Sequence, residues 1–236
     1  MRICLKLQMN GTHLPYDYRR GIQAFIYSAM DPETGRLLHD GGQGVIKLFT
    51  FSRILGPCTS DASGITFPKD ASLWIASPSV SLLKQIYAMI EMTHHIELFG
   101  NFIPVTEMHA EENREYRGTV RYQTLSPVTM YTTGENGYHT YYSPDDADYR
   151  ERLRMNIARK YEQLTGAPME EYFNFYRPEQ IRKRVCTFKG FRYTAYDFTC
   201  SIDTVPLVHN IILDCGLGAR NPAGFGMVRR LGSGKQ

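Results

Sequence analysis

The stretch GLGARNPAGFGMVRRLGSGKQ, at residues 216–236, is the most distinctive part of the chain. Six of its 21 residues are glycine, four are basic and none is acidic. Glycine lets the backbone come close to a partner and leaves its N–H groups accessible. Such N–H groups, together with basic and amide side chains, can hold a phosphate chain. The residues predicted to contact phosphates here are Gly216, Gly218, Arg220, Asn221, Gly224 and Gly226.

This glycine-rich segment matches neither of two common phosphate-binding motifs. A nucleotide P-loop is excluded because no Gly-Lys-Ser/Thr follows the glycines at the required spacing. The Rossmann pattern is excluded because Asn221 occupies the position of its third glycine. A flexible tail is the simpler alternative, but the position of the glycines between a predicted helix and a predicted strand disfavours it.

The elements upstream of the glycines alternate between strand and helix patterns. Ser126-Pro127 sets the end of a strand predicted in residues 121–132, because the residue before a proline avoids helical geometry. Gly166 ends a helix predicted at 145–166, whose acidic first turn suits the helix dipole. The other predicted elements are strands at 181–190 and 191–202, a helix at 204–216 and a strand at 224–232.

The first half of the chain has the same order of patterns. Residues 1–9 alternate apolar and polar side chains, as a strand does. Asp17 is placed to cap a helix that begins at Tyr18, and Ser79 is placed to cap a second helix at 80–93. The other predictions are a glycine-rich loop at 35–44, strands at 45–54 and 72–77, a turn-rich segment at 56–64 and extended chain at 97–110.

The order strand, helix, strand, strand, helix, strand, used twice, is the pattern of a duplicated ferredoxin-like fold. The sequence therefore predicts an α+β protein of two tandem ferredoxin-like (βαββαβ, RRM-like) domains. The first domain is expected at 1–116 and the second at 117–236. This prediction depends on element order, because the two halves show no visible sequence identity.

Composition excludes several classes of protein. With 42% hydrophobic and 22% charged residues, the chain of 236 residues is predicted to fold. No window approaches the roughly 18 to 20 apolar residues that a membrane helix needs, and residues 1–15 become polar too early for a signal peptide. Five cysteines without a C-x-x-C pair argue against a disulfide framework or a zinc ribbon. We expect a cytoplasmic protein that holds no metal ion and no cofactor.

Charge is unevenly distributed along the chain. Residues 1–176 hold 17 basic and 20 acidic residues, whereas residues 177–236 hold 10 basic and 4 acidic ones. A basic last quarter on a nearly neutral body indicates a face that meets an anion, with nucleic acid as the leading candidate. A solvated basic surface is the alternative.

Three stretches together resemble a known family. GLGARNPAGFGMV (216–228), LPYDYRRGIQAFIYSAM (14–30) and LSPVTMY (125–131) are similar to motifs of the CRISPR repeat-processing endoribonucleases, of the repeat-associated RNA-binding superfamily. The resemblance implies cleavage of CRISPR repeat RNA without a metal ion. The ribose 2′-OH attacks the scissile phosphate and leaves a 2′,3′-cyclic phosphate and a 5′-OH. The implied partner is repeat RNA, and other CRISPR-associated subunits and homodimers also occur in the family.

The implied reaction needs a general base, a general acid and positive charge at the phosphate. Histidine suits the proton transfer, and the resemblance places the catalytic histidine at His39, in the loop after the first helix. Lys47 would stabilise the phosphate charge. Tyr27, predicted on the outward face of its helix, would bind substrate or orient a catalytic group, and His13 is a second candidate. The alternatives are an ordinary loop histidine for His39 and a packing tyrosine for Tyr27.

The remaining histidines have weaker functional contexts. His94 and His95 are predicted to end the second helix, where an imidazolium suits the helix dipole. His109, His139 and His209 match no motif, and no His/Cys spacing indicates a metal site.

The segment IRKRVCTFKGFR, residues 181–192, has five basic residues and no acidic one. Phe188 and Phe191 lie among them, so the segment is predicted to be an RNA-binding hairpin with an aromatic ring available for stacking. Strand alternation puts Lys183 on the opposite face. A solvated edge strand is the alternative. The predicted RNA-binding residues of this segment are Arg182, Arg184, Lys189 and Arg192.

Two other functions stay open on the sequence. A non-catalytic crRNA-binding subunit of a CRISPR interference complex would keep the glycine-rich segment without needing His39. An unrelated two-domain enzyme that acts on a small phosphorylated ligand would account for the phosphate-binding features alone. RNA binding with a steep salt dependence would count against this last function.

Overall fold

A computed structural model describes residues 1–31, 47–112, 115–176 and 178–232. Its elements form two five-stranded sheets, one from each half of the chain, and two smaller sheets. None of the described helices has the length and apolar character needed to cross a membrane. The helices are α1 (Tyr18–Ser28), α2 (Val80–Thr93), α3 (Tyr149–Thr165) and α4 (Pro206–Cys215).

The first half contributes the strands of the first large sheet. They and their neighbours are β1 (Arg2–Leu7), β2 (Thr12–Leu14), β3 (Thr50–Phe51), β4 (Thr59–Ser60), β5 (Ile65–Phe67), β6 (Ala71–Ala76), β7 (His95–Leu98) and β8 (Asn101–Glu111). The antiparallel order is β3-β6-β1-β8-β7, with α1 after β1 and α2 after β6. This is the ferredoxin-like arrangement with one additional edge strand, β7. The strand predicted in residues 1–9 is confirmed, because Ile3, Leu5 and Leu7 enter one buried core.

The two helices of this half differ in how they begin. Ser79 caps α2 as predicted, since its hydroxyl accepts a 3.2 Å hydrogen bond from the N–H of Leu82. Asp17 stands at the start of α1 but makes no side-chain cap. Its two carboxylate oxygens instead accept hydrogen bonds of 3.1 Å from the backbone N–H of Lys189. The capping prediction for Asp17 is wrong because this distant partner takes the carboxylate.

Three other predictions for the first half need correction. The strand predicted at 45–54 is reduced to β3, and residues 45–46 lie outside the described residues. The segment at 56–64 contributes β4 to a three-stranded sheet of order β2-β5-β4. His95 begins β7 instead of ending α2, because His94 has a left-handed φ of 59° that terminates the helix.

The second half repeats the arrangement. Its strands are β9 (Gly118–Thr124), β10 (Tyr131–Thr133), β11 (His139–Tyr141), β12 (Asn174–Phe175), β13 (Glu179–Phe188), β14 (Phe191–Thr204) and β15 (Val228–Arg230). The antiparallel order is β13-β14-β9-β15, and β12 also pairs with β14. The predicted β13–β14 hairpin is confirmed, and Lys189 and Gly190 form its turn with positive φ, as a type I′ turn requires.

One hairpin of the second half was not predicted. Strands β10 and β11 pair with each other between β9 and α3, outside the large sheet. Each has three residues, which is too short for an alternating pattern to be recognised in the sequence. The predicted domain boundary between residues 116 and 117 falls between β8 and β9 and stays a prediction.

Candidate nucleic-acid interface

The glycine-rich loop, residues 216–228, is a buried packing element. Its four glycines have left-handed φ between 70° and 80°. A Cβ at Gly218 would lie 2.5 Å from the carbonyl oxygen of Thr129, and one at Gly226 would overlap the carbonyl oxygen of Leu217. The glycines are therefore needed for contacts within the protein. They are Gly216, Gly218, Gly224 and Gly226.

Several hydrogen-bond donors of this loop already have partners inside the protein. The N–H of Leu217 donates to the carbonyl of Gly226 at 2.8 Å, and the N–H of Gly226 donates to that of Pro127 at 3.0 Å. Asn221 is buried, and its amide donates 3.0 Å hydrogen bonds to the carbonyls of Leu217 and Phe225. These groups do not form the predicted phosphate cradle, because the loop uses them to hold its own shape.

Lys160 supports the loop, although it was not among the predicted site residues. Its side chain is 1% exposed, and Nζ donates to the carbonyls of Gly216 at 2.7 Å and Gly218 at 3.0 Å. Burial lowers the pKa of this amine to about 7. The sequence pattern did indicate that Lys160 is buried, because Lys160 follows Leu153 and Ile157 at the spacing of one helix face, on the apolar stripe of α3.

Lys160 should make the free energy of unfolding rise between pH 7 and pH 9. The amine has a pKa of about 7 in the fold and about 10.5 in the unfolded chain, so over this range the unfolded chain holds the extra proton. Stability therefore increases with pH, by on the order of 2 kcal/mol over these two pH units. Urea denaturation at both pH values measures the rise. The variant Lys160→Met should lack it, and an equal rise in that variant would contradict the prediction.

The loop also joins the two halves of the chain. The ring of Phe51 in β3 lies against Gly224, where an added Cβ would overlap the ring. From α1, the side-chain amide of Gln23 donates a 2.7 Å hydrogen bond to the carbonyl of Pro222. These contacts fix α1 and β3 against the second half, and so they set the space between the two sheets beside the loop.

A cleft of about 620 Å³ opens beside the loop and is lined by both halves; we call it the first cleft. Two predicted catalytic residues line it, Tyr27 from α1 and Lys47, which precedes β3. Two predicted RNA-binding residues, Lys189 and Arg220, line it from the second half. The structure thus brings together residues that lie far apart in the sequence. Four rings add flat apolar surface: His139, Phe188, Phe191 and Tyr193.

Tyr27 is less exposed than the sequence predicts. Its ring is half-buried because Phe49 covers it edge-on, with 5.8 Å between ring centroids and 86° between ring planes. The ammonium nitrogen of Lys47 lies 5.2 Å from the centroid of the Tyr27 ring, within the range of a cation–π contact. Tyr27 and Lys47 therefore face one small region of the first cleft.

Arg220 is exposed on the wall of the first cleft, between two aromatic rings. Its Nε donates a 2.7 Å hydrogen bond to the hydroxyl of Tyr131. The guanidinium carbon lies 5.8 Å from the ring centroid of Tyr131 and 5.4 Å from that of Tyr193. The rings orient the guanidinium, which remains able to bind a phosphate.

The β13–β14 hairpin divides its predicted RNA-binding cations between two clefts. Lys189 lines the first cleft, and Arg184 and Arg192 line a second cleft of about 680 Å³. Arg184 is partly neutralised there, because its Nε donates a 2.8 Å hydrogen bond to the Asp197 carboxylate. Arg182 is exposed and lies outside both of these clefts.

The predicted histidines have different positions. His39 lies outside the described residues. His13 is on the small sheet, where its ring nitrogens lie 2.9 Å from the hydroxyl of Thr66 and 3.2 Å from that of Ser63. His139 lines the first cleft although it matches no motif, because the unpredicted β10–β11 hairpin carries it there. Within the described ranges, no group of three or more His, Cys, Asp or Glu side chains could hold a metal ion.

Two ferredoxin-like halves beside a cleft of cations and aromatic rings are typical of proteins that bind single-stranded RNA. The family model described as "CRISPR associated protein Cas6, C-terminal" matches residues 110–230. The chain belongs to this Cas6 family, and the family predicted from the three sequence motifs is confirmed.

Individual relatives agree with this assignment. "CRISPR-associated endoribonuclease Cas6 1" of Methanocaldococcus jannaschii is 26% identical, over 97% of this chain and 92% of the relative. A solved structure titled "Characterization of a Cas6-related gene from Pyrococcus furiosus" is 22% identical, with a TM-score of 0.87 and 99% of both chains covered. Another, titled "An RAMP protein binding different RNA substrates", is 21% identical, with a TM-score of 0.84 and 98% and 99% covered. The predicted fold of two tandem ferredoxin-like domains is confirmed.

Proposed function

We propose that this protein is an endoribonuclease that cleaves CRISPR precursor RNA within its repeats. The relatives named as endoribonucleases, which match nearly the whole chain, support this reaction. The observation that carries the proposal is the meeting of Tyr27 and Lys47 with Lys189 and Arg220 in the first cleft. The cleft lies between the proposed domains, so bound RNA would contact both.

The proposed reaction is a transesterification at phosphorus. A general base removes the proton of the ribose 2′-OH, and the 2′-oxygen attacks the adjacent phosphate. A general acid protonates the leaving 5′-oxygen, which leaves a 2′,3′-cyclic phosphate and a 5′-OH. His39 is proposed as the acid or the base, Lys47 stabilises the negative charge on phosphorus, and Tyr27 orients the reacting groups. The scheme balances without a metal ion or a cofactor.

RNA binding is assigned to the cations of the two clefts. Lys189 and Arg220 would hold phosphates beside the reacting groups, and Arg184 and Arg192 would extend the contact into the second cleft. Arg182, exposed on the same hairpin, would add charge at its edge. Repeat RNA is the proposed partner, and other CRISPR-associated subunits and a homodimer are further proposed partners.

Cleavage of a labelled repeat RNA in EDTA tests this function. The repeat is taken from a CRISPR array of the same genome. We expect the protein to cut at one site in EDTA, and a 2′-deoxynucleotide immediately 5′ of that site to abolish cutting while the RNA still binds. The reason is that the deoxynucleotide removes the nucleophile and leaves the phosphates in place. Cutting that survives this substitution would contradict the mechanism, and binding without cutting would favour the non-catalytic crRNA-binding subunit.

A further inference from the structure

The β10–β11 hairpin carries a cluster of aromatic rings at the edge of the first cleft. The ring centroids of Tyr131 and His139 are 4.3 Å apart, with 34° between the planes. Tyr141 lies 5.7 Å from Tyr131 and 6.1 Å from His139. The Nδ1 atom of His139 is 3.1 Å from the hydroxyl of Thr133, which fixes the orientation of the imidazole. The three rings therefore form one ordered surface.

Arg220, which belongs to the glycine-rich loop, continues this aromatic surface. It donates to the hydroxyl of Tyr131 on one side and lies over the ring of Tyr193 on the other. His139, Arg220 and Tyr193 all line the first cleft. At this wall of the first cleft, the guanidinium of Arg220 therefore lies between the aromatic rings of Tyr131 and Tyr193.

Core packing does not account for Tyr131 and His139, although Tyr193 belongs to a buried cluster against which Tyr141 packs. Tyr131 belongs to none of the buried clusters of the described chain, and both Tyr131 and His139 are only half-buried. Ordered rings and a guanidinium beside a basic cleft form the surface on which nucleobases stack. A base inside a duplex has its faces covered by its neighbours, so the ligand that fits is an unpaired nucleotide.

We propose that His139, Tyr131 and Arg220 form a stacking site for one unpaired nucleobase of the RNA substrate. This inference rests on the proposed function and adds a requirement on the substrate. At least one nucleotide close to the cleaved bond must be single-stranded, because His139 and Arg220 line the first cleft together with Tyr27 and Lys47, and the Tyr131 side chain contacts both His139 and Arg220.

Equilibrium binding of the uncleavable 2′-deoxy repeat RNA to His139 variants tests the site. At pH 8, His139→Ala and His139→Leu should weaken binding about tenfold, whereas His139→Phe should bind like the native protein, because a phenyl ring still stacks. The slope of log Kd against log salt should stay unchanged in all three variants, whereas Lys189→Ala should lower it by roughly 0.7, because Lys189 is proposed to hold a phosphate and His139 is not. Tyr138→Ala is the matched control, because Tyr138 is the adjacent, 77% exposed ring outside the cleft.

An abasic scan of the same RNA locates the stacked base. One position should weaken binding to the native protein about tenfold when its base is removed, and should have no further effect on His139→Ala, because the two changes delete the same contact. The inference is overturned if His139→Leu binds like the native protein or if no abasic position is coupled to His139. Cleavage of the unmodified repeat by the native protein in the same series would show that the proposed function holds even then.

Discussion

Replacing His39 by alanine is expected to slow cleavage of repeat RNA by about 10²- to 10⁴-fold, the usual contribution of one general acid or base. RNA binding should persist, because Lys189 and Arg220 in the first cleft remain. Single-turnover kinetics with protein in excess over labelled RNA measures the cleavage step apart from product release. A filter-binding titration with the 2′-deoxy repeat measures affinity on the same preparation.

His109→Ala is the control for a general effect of removing a histidine. The His109 side chain is 61% exposed on β8, where it pairs with Glu107 at 3.1 Å, and it lies outside the first cleft. The His109→Ala variant should cleave repeat RNA at the native rate. If His39→Ala also cleaves at the native rate, another group transfers the proton, and His13, Tyr27 and Lys47 are the next candidates to replace.

Replacing Gly226 by alanine should lower the free energy of unfolding by about 4 kcal/mol or more. Part of the loss, roughly 1 kcal/mol, comes from holding alanine at a φ of 76°. The larger part comes from overlap of the new Cβ with the carbonyl oxygen of Leu217. That oxygen cannot retreat freely, because it accepts the hydrogen bond of the Asn221 amide. Urea denaturation followed by circular dichroism measures the loss.

Gly100→Ala separates the two causes. Gly100, in the β7–β8 turn, has the same φ of 76°, but a Cβ there would meet no atom within 4 Å. This variant should lose only the conformational cost of roughly 1 kcal/mol. Equal losses in Gly100→Ala and Gly226→Ala would show that the glycine-rich loop tolerates a side chain, against the close packing described for it.

The elements that could be predicted are those whose causes are local in the sequence. Helix α2 begins as expected, because the Ser79 cap and the apolar repeat lie within one stretch of chain. Gly166 ends α3 with a φ of 74°, which the sequence pattern of a glycine after a helix indicates. The position of Lys47 beside Tyr27, in contrast, could not be predicted from spacing, because helix periodicity indicates the face on which Tyr27 lies but not which residue of another element it meets.

The errors concern polar groups whose partners are set by the tertiary fold. The carboxylate of Asp17 accepts a hydrogen bond from the backbone N–H of Lys189, which is 172 residues away in the sequence. A helix-capping rule that considers only neighbouring residues cannot predict this partner. Asn221 was assigned to phosphate because exposure was assumed for the whole glycine-rich segment, whereas the loop is buried against β3. His139 was missed because its hairpin is too short to show a pattern. Only Lys160 had an unused local signal, its place on the apolar stripe of α3.

The junction between the two halves has a consequence for how this protein can diverge. Gly224 meets the ring of Phe51 from the first half with no side chain of its own, so a substitution there cannot adjust the contact by small steps. The wall of the first cleft includes exposed or half-buried side chains, such as Phe191 and His139, whose replacement leaves the Gly224 contact in place. The spacing of the two halves beside the first cleft therefore tolerates less change in sequence than the lining of the cleft does.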